Sequence, residues 1–151
     1  IFADKLLKYG ELLYIITSAF CFSIVHGVSL GIPQVVYTFI IGFIWAYLYA
    51  RTGNIWISII MHALSNLFGS VIIQSLQLAS PMAAGVYSMF MMLLGIVGVV
   101  TFVINKKKII IDGQCKLVSS EVLKTIYSSP GIIIYILVTI GMVMIKVLME
   151  K

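Results

Sequence analysis

His26 and His62 are the chain's two histidines, and each has a partner one turn away: Phe22 four residues before His26, and Asn66 four residues after His62. Residues four apart share a helix face. A neutral imidazole can take a proton from water, and imidazole or amide N–H groups can donate to an oxygen that is gaining negative charge. Together these abilities suit hydrolysis of a peptide carbonyl in an apolar cavity, with His26, His62 and Asn66 as candidate catalytic groups and Phe22 in support. The acids of the chain are Asp4, Glu11, Asp112, Glu121 and Glu150, and none forms an adjacent pair.

Blander and rival readings use the same residues. A membrane histidine or asparagine can simply join helices by hydrogen bonds, and a phenylalanine can simply fill a core. Two histidines with a carboxylate could hold zinc with an open position, which would make His26 and His62 metal ligands. However, asparagine is a poor zinc ligand, so a metal-free site with no cofactor is expected and zinc is the alternative. Axial ligation of a haem by the two histidines is a further possibility, but it leaves Asn66 and the Arg51 to Trp56 turn without a purpose.

The elements that must position these side chains are membrane helices. The chain is 62% hydrophobic and 10% charged with mean hydropathy +1.15, whereas an ordinary soluble domain is roughly 25% charged. Five segments approach the length of about 20 apolar residues that spans a bilayer: Leu12 to Ile32, Val35 to Ala50, Ile55 to Ile73, Met82 to Ile104 and Gly131 to Leu148. The expected fold is therefore an all-α, polytopic bundle of about five transmembrane helices. Polar groups inside such helices face inward, toward one another or a wet cavity.

Charge orients the spans. Lys5, Lys8, Arg51, Lys106, Lys107, Lys108, Lys116 and Lys124 fall on one side, whereas the connections near Gly31 to Pro33 and Gln74 to Pro81 carry no charge. The basic side is expected to be cytoplasmic, with Lys146 and Lys151 at the other face. A pI near 9.3 then reflects topology and contact with anionic lipid. No basic patch with interleaved aromatics suggests nucleic acid, so the bilayer is the expected partner. Cys21 and Cys115 would lie about a bilayer apart and are expected to be free thiols. Pro33, Pro81 and Ser128 to Gly131 punctuate the segments, and a short interfacial helix is expected over Glu121 to Tyr127. Gly27 with Gly31, Gly42 with Ala46, and Gly95 with Gly98 and Val99 offer small surfaces for close helix packing.

Phe22 to His26 resembles the Phe-x-x-x-His motif of the CPBP intramembrane proteases, also called the Abi or CAAX-prenyl-protease-type family. His62 to Asn66 resembles that family's His-x-x-x-Asn motif, and Arg51-Thr52-Gly53-Asn54-Ile55-Trp56 is similar to the turn that precedes it. The resemblance covers about Ile1 to Val71. It implies a membrane-bound peptidase in which a glutamate and a histidine activate water. His26 would assist that water, and His62 with Asn66 would polarise the scissile carbonyl.

The family's first motif, Glu-Glu-x-x-x-Arg, is not found in the chain, and family spacing would place it just before Ile1. The expectation is therefore a fragment whose 151 residues alone are inactive. Residues 1–104 would form the incomplete protease core, 105–130 a cytoplasmic loop, and 131–151 an additional C-terminal helix. The substrate could be a prenylated C-terminal peptide or a leader peptide, and a non-catalytic relative acting in bacteriocin immunity is the alternative. A bacterial cell membrane is the expected location, and sequence leaves the oligomeric state open.

Overall fold

The computed structural model describes residues 2–30, 32–111 and 120–149. These form eight α-helices: α1 (Phe2–Leu7), α2 (Glu11–Leu30), α3 (Ile32–Thr52), α4 (Ile55–Asn66), α5 (Ile72–Ala79), α6 (Pro81–Asn105), α7 (Ser120–Tyr127) and α8 (Pro130–Met149). A π-helical turn over Leu67–Val71 joins α4 to α5, and a 3₁₀ turn over Lys106–Lys108 extends α6. No strand occurs among the described residues. The fold is all-α. Pro33–Thr52, Ile55–Ala79 and Pro81–Lys108 are long and apolar enough to cross a membrane, and Glu11–His26 and Pro130–Lys146 are shorter apolar stretches. The chain is an integral membrane protein.

The helix limits differ from the hydropathy reading at the third span. A loop was expected over Gln74 to Pro81, yet the helix runs to Ala79. Ser75 keeps its hydroxyl inside the helix by donating to the Val71 carbonyl at 2.9 Å, so this polar residue does not end the span. The break is at Ser80, which takes an extended conformation and accepts a hydrogen bond from the Ala83 amide at 3.3 Å. Pro81 then occupies the first turn of α6, where its missing N–H costs nothing. The short helix expected over Glu121 to Tyr127 is present as α7. Gly31, Asp112, Cys115, Lys116, Glu150 and Lys151 lie outside the described residues.

The chain divides into two compact units. The first comprises Ile1–Asn54 with Asp112–Lys151, and α2 packed on α3 is its principal helix pair. Leu13, Tyr14, Ile15, Thr17, Ala19 and Ser23 of α2 are buried, as are Thr38, Trp45 and Ala46 of α3. Thr38, Gly42 and Ala46 recur every four residues and make a small-residue stripe that lets the helices approach closely. A Cβ built on Gly42 would lie 3.0 Å from Phe22 Cδ1 and 3.3 Å from Ala19 Cα. A side chain there would press on both the Phe22 ring and the α2 backbone.

One end of the pair is closed by the turn after α3. Gly53 adopts φ +64°, its amide donates to the Tyr49 carbonyl at 2.8 Å, and this left-handed residue ends the helix. The Thr52 hydroxyl donates to the Leu48 carbonyl at 2.7 Å and accepts from the Asn54 amide at 3.2 Å. Arg51, in the last turn of α3, pairs with Glu11, in the first turn of α2, at 3.2 Å. Each charge also sits at the helix end whose dipole favours it. In this unit α8 packs on α2, with Ile132 and Thr139 buried, and Tyr135 donates its hydroxyl proton to the Cys21 carbonyl.

The second unit, Ile55–Ile111, carries α4, the π turn, α5 and α6, with α5 packed on α6. Ala84 is its single buried residue among those described. The remaining side chains are mainly exposed and apolar, as suits helices whose solvent is hydrocarbon.

Candidate active site

In the first unit, Ile15, Ala19, Phe22 and His26 recur at helical spacing, which places His26 on the face of α2 that packs toward α3. Its Nδ1 lies 2.8 Å from the Phe22 carbonyl oxygen, and the histidine is partly buried. A carbonyl can only accept, so this bond assigns the proton to Nδ1 and the lone pair of the neutral imidazole to Nε2. Nε2 is then the atom able to take a proton from water.

Phe22 has a definite geometric role. Its ring lies 4.4 Å from the His26 ring and 5.2 Å from the Trp45 ring, the latter in an edge-on arrangement. The imidazole is thus placed by its own helix through the Phe22 carbonyl, and by α3 through Trp45 and the Phe22 ring. Packing restricts its rotamers, which is what a base of defined direction requires. Gly42 is the small residue that admits Phe22 to this position.

His62 and Asn66 belong to the second unit, both on α4. His62 is half-buried, and Asn66 is exposed at the end of the helix, with φ −68° and ψ −41°. The next five residues, Leu67–Val71, form the π turn, in which the Ile72 amide reaches back to the Leu67 carbonyl. A π turn adds a residue to one turn of helix and is frequent beside functional groups. Here the Tyr87 hydroxyl of α6 donates to the Phe68 carbonyl at 2.7 Å, so the widened turn is held from the neighbouring helix. Within the unit, Tyr87 steadies the backbone just past Asn66.

The two histidine motifs are therefore divided between the units, Phe22 and His26 in one and His62 and Asn66 in the other. Trp45, Tyr87 and Tyr135 were not singled out from sequence. Tyr87 and Tyr135 carried a usable signal, because a tyrosine within a bilayer-length apolar run must send its hydroxyl to a partner. Trp45 had only its place one turn past Gly42. Among the described residues, no cluster of three His, Cys, Asp or Glu side chains could hold a metal ion.

Neither a curated protein nor a solved structure matches the chain. A family model does match, over residues 1–68, a stretch that holds Phe22, His26, His62 and Asn66 and ends inside the π turn. The family is described as type II CAAX prenyl endopeptidase, Rce1-like, and over this stretch the chain is similar to it.

Proposed function

We propose that these residues form the membrane-embedded part of an intramembrane endopeptidase, one that hydrolyses a peptide bond of a membrane-associated substrate such as a prenylated C-terminal peptide. The observation that carries this reading is the 2.8 Å bond from His26 to the Phe22 carbonyl, made within the stretch matching the endopeptidase family. It fixes which imidazole nitrogen carries the lone pair, the one that faces away from the Phe22 carbonyl.

In the proposed mechanism a carboxylate takes the proton of a water that His26 Nε2 assists by accepting a hydrogen bond, as the water oxygen attacks the carbonyl carbon. The oxygen of that carbonyl becomes negative, and the N–H groups of His62 and Asn66 donate to it. One such donor is worth about 3 kcal/mol in comparable sites. Collapse of the intermediate passes a proton to the leaving amine. No metal or other cofactor takes part, and the bilayer supplies the apolar surroundings. The five acids of this chain, none adjacent, do not supply the paired carboxylates of the family's first motif, so activity requires a helix bearing Glu-Glu-x-x-x-Arg. The proposed setting is a bacterial cell membrane. The second reading is a non-catalytic relative acting in bacteriocin immunity.

The test joins a helix carrying that motif ahead of Ile1 and assays cleavage of a lipidated C-terminal peptide and a leader-type peptide by mass spectrometry. Residues 1–151 alone are expected to be inert, since loss of general-base assistance costs about 10²- to 10⁴-fold. The extended protein is expected to cleave, with His62→Ala or Asn66→Ala lowering the rate on the order of 100-fold or more. Chelator should have no effect. Robust cleavage by the shorter chain, inhibition by chelator, or full activity of the His62→Ala protein would overturn the mechanism. An inert extended protein would favour the non-catalytic relative.

A further inference from the structure

The charges of the second unit are gathered at one end. From Ile55 to Ile111 the sequence contains no aspartate or glutamate, and its only full charges are Lys106, Lys107 and Lys108. All three are exposed. The nearest acid along the chain is Asp112, one carboxylate against three ammonium groups. This concentration of charge is attracted to an anionic surface.

The local backbone sets how the three charges are presented. Pro81 to Ile104 is free of charge and, as helix, about 36 Å long, against a hydrocarbon core of about 30 Å. Asn105 ends the helix by donating from Nδ2 to the Thr101 carbonyl at 2.9 Å, and the Ile109 amide donates to the Lys106 carbonyl at 3.2 Å. Between them the lysines occupy a single 3₁₀ turn, in which successive side chains diverge by about 120°. Three ammonium groups therefore fan out around the axis and do not converge on one point. Ile109 and Ile110 follow, 37% and 65% exposed, and offer an apolar anchor directly beside the charges.

We propose that Lys106, Lys107 and Lys108 form a collar that binds the phosphate groups of anionic phospholipids around the end of α6. A collar of diverging charges fits a plane of headgroups, whereas a discrete phosphate pocket would need converging donors. The long lysine stems reach from the apolar helix end to the headgroup layer. This surface does not depend on the hydrolytic reading of the histidines, so either can fail without the other.

The test uses the 151-residue chain in mixed bilayer nanodiscs of phosphatidylcholine and phosphatidylglycerol, with retained lipid measured by native mass spectrometry. A photoactivatable phosphatidylglycerol reports the contact site, and its crosslinks should map to Thr101 to Ile111. Replacing all three residues, Lys106→Gln, Lys107→Gln and Lys108→Gln, should lower the preference for phosphatidylglycerol on the order of 100-fold, since each surface lysine contributes about 1 kcal/mol. The corresponding triple arginine variant should retain it. Should the glutamine variant fail to fold, salt on the unaltered chain decides, because a surface collar must lose its preference near 1 M salt, where screening acts within about 3 Å. Undiminished preference in the glutamine variant, insensitivity to salt, or crosslinks elsewhere would overturn the proposal. Displacement of the lipid by millimolar inorganic phosphate at constant ionic strength would also overturn it, by indicating a closed phosphate pocket.

Discussion

The Nδ1 atom of His26 lies 2.8 Å from the carbonyl oxygen of Phe22, and the ring of the same phenylalanine lies 4.4 Å from the imidazole. One residue thus governs both the tautomer and the orientation of the histidine. By ¹⁵N NMR of the histidine-labelled protein in detergent, neutral His26 is expected to carry its proton on Nδ1. Phe22→Ala should loosen the ring and destabilise the protein by about 2 kcal/mol, the scale of one aromatic contact set. A proton found on Nε2 in the unaltered protein would remove the assigned base.

Gly42 and Phe22 form a second coupled pair. Because a Cβ at position 42 would meet both Phe22 Cδ1 and the Ala19 backbone, Gly42→Ala should destabilise the α2–α3 pair by about 1–3 kcal/mol. Gly95→Ala, where nothing lies within 4 Å of the added atom, serves as the control and should be nearly neutral. Thermal unfolding in detergent compares them, and equal midpoints would show that the helices do not pack this closely.

The Arg51–Glu11 pair is partly exposed, with side-chain accessibilities of 33% and 18%. Such a pair is worth about 0.5 kcal/mol and weakens with salt. A double-mutant cycle with Glu11→Gln and Arg51→Gln should return that coupling at low salt and nearly none at high salt. A coupling of several kcal/mol would indicate a much drier site.

Tyr87→Phe removes the donor to the Phe68 carbonyl and leaves the ring. A loss of about 1 kcal/mol is expected, with faster hydrogen exchange confined to Leu67–Val71 and its flanks. Unchanged exchange there would mean that the π turn holds without its partner.

Cysteines placed at Ser80 and Ile110 in a Cys-free background report on the two ends of α6. They should label from opposite sides of the membrane, with Ile110 on the cytoplasmic side. Labelling of both from one side would reverse the topology expected from charge.

The sequence by itself determined the elements and the candidate chemistry. Run length and composition are enough to place membrane helices, because the bilayer imposes one length and one polarity on every span. Spacing of four residues was enough to pair Phe22 with His26, because that contact is local to one helix, and it placed His62 and Asn66 on a single helix. The Arg51 to Asn54 turn was legible for the same reason, its Gly53 and Thr52 bonds being contacts between near neighbours. The contacts of Trp45, Tyr87 and Tyr135 were decided only by tertiary structure. They join residues 23, 19 and 114 positions apart, and in an apolar chain nearly any helix face is hydrophobic enough to pack against any other. Hydropathy therefore cannot choose among the partners. Close fit at Gly42 and the few hydroxyl-to-carbonyl bonds make that choice, since in hydrocarbon shape and hydrogen bonding are what distinguish one packing from another.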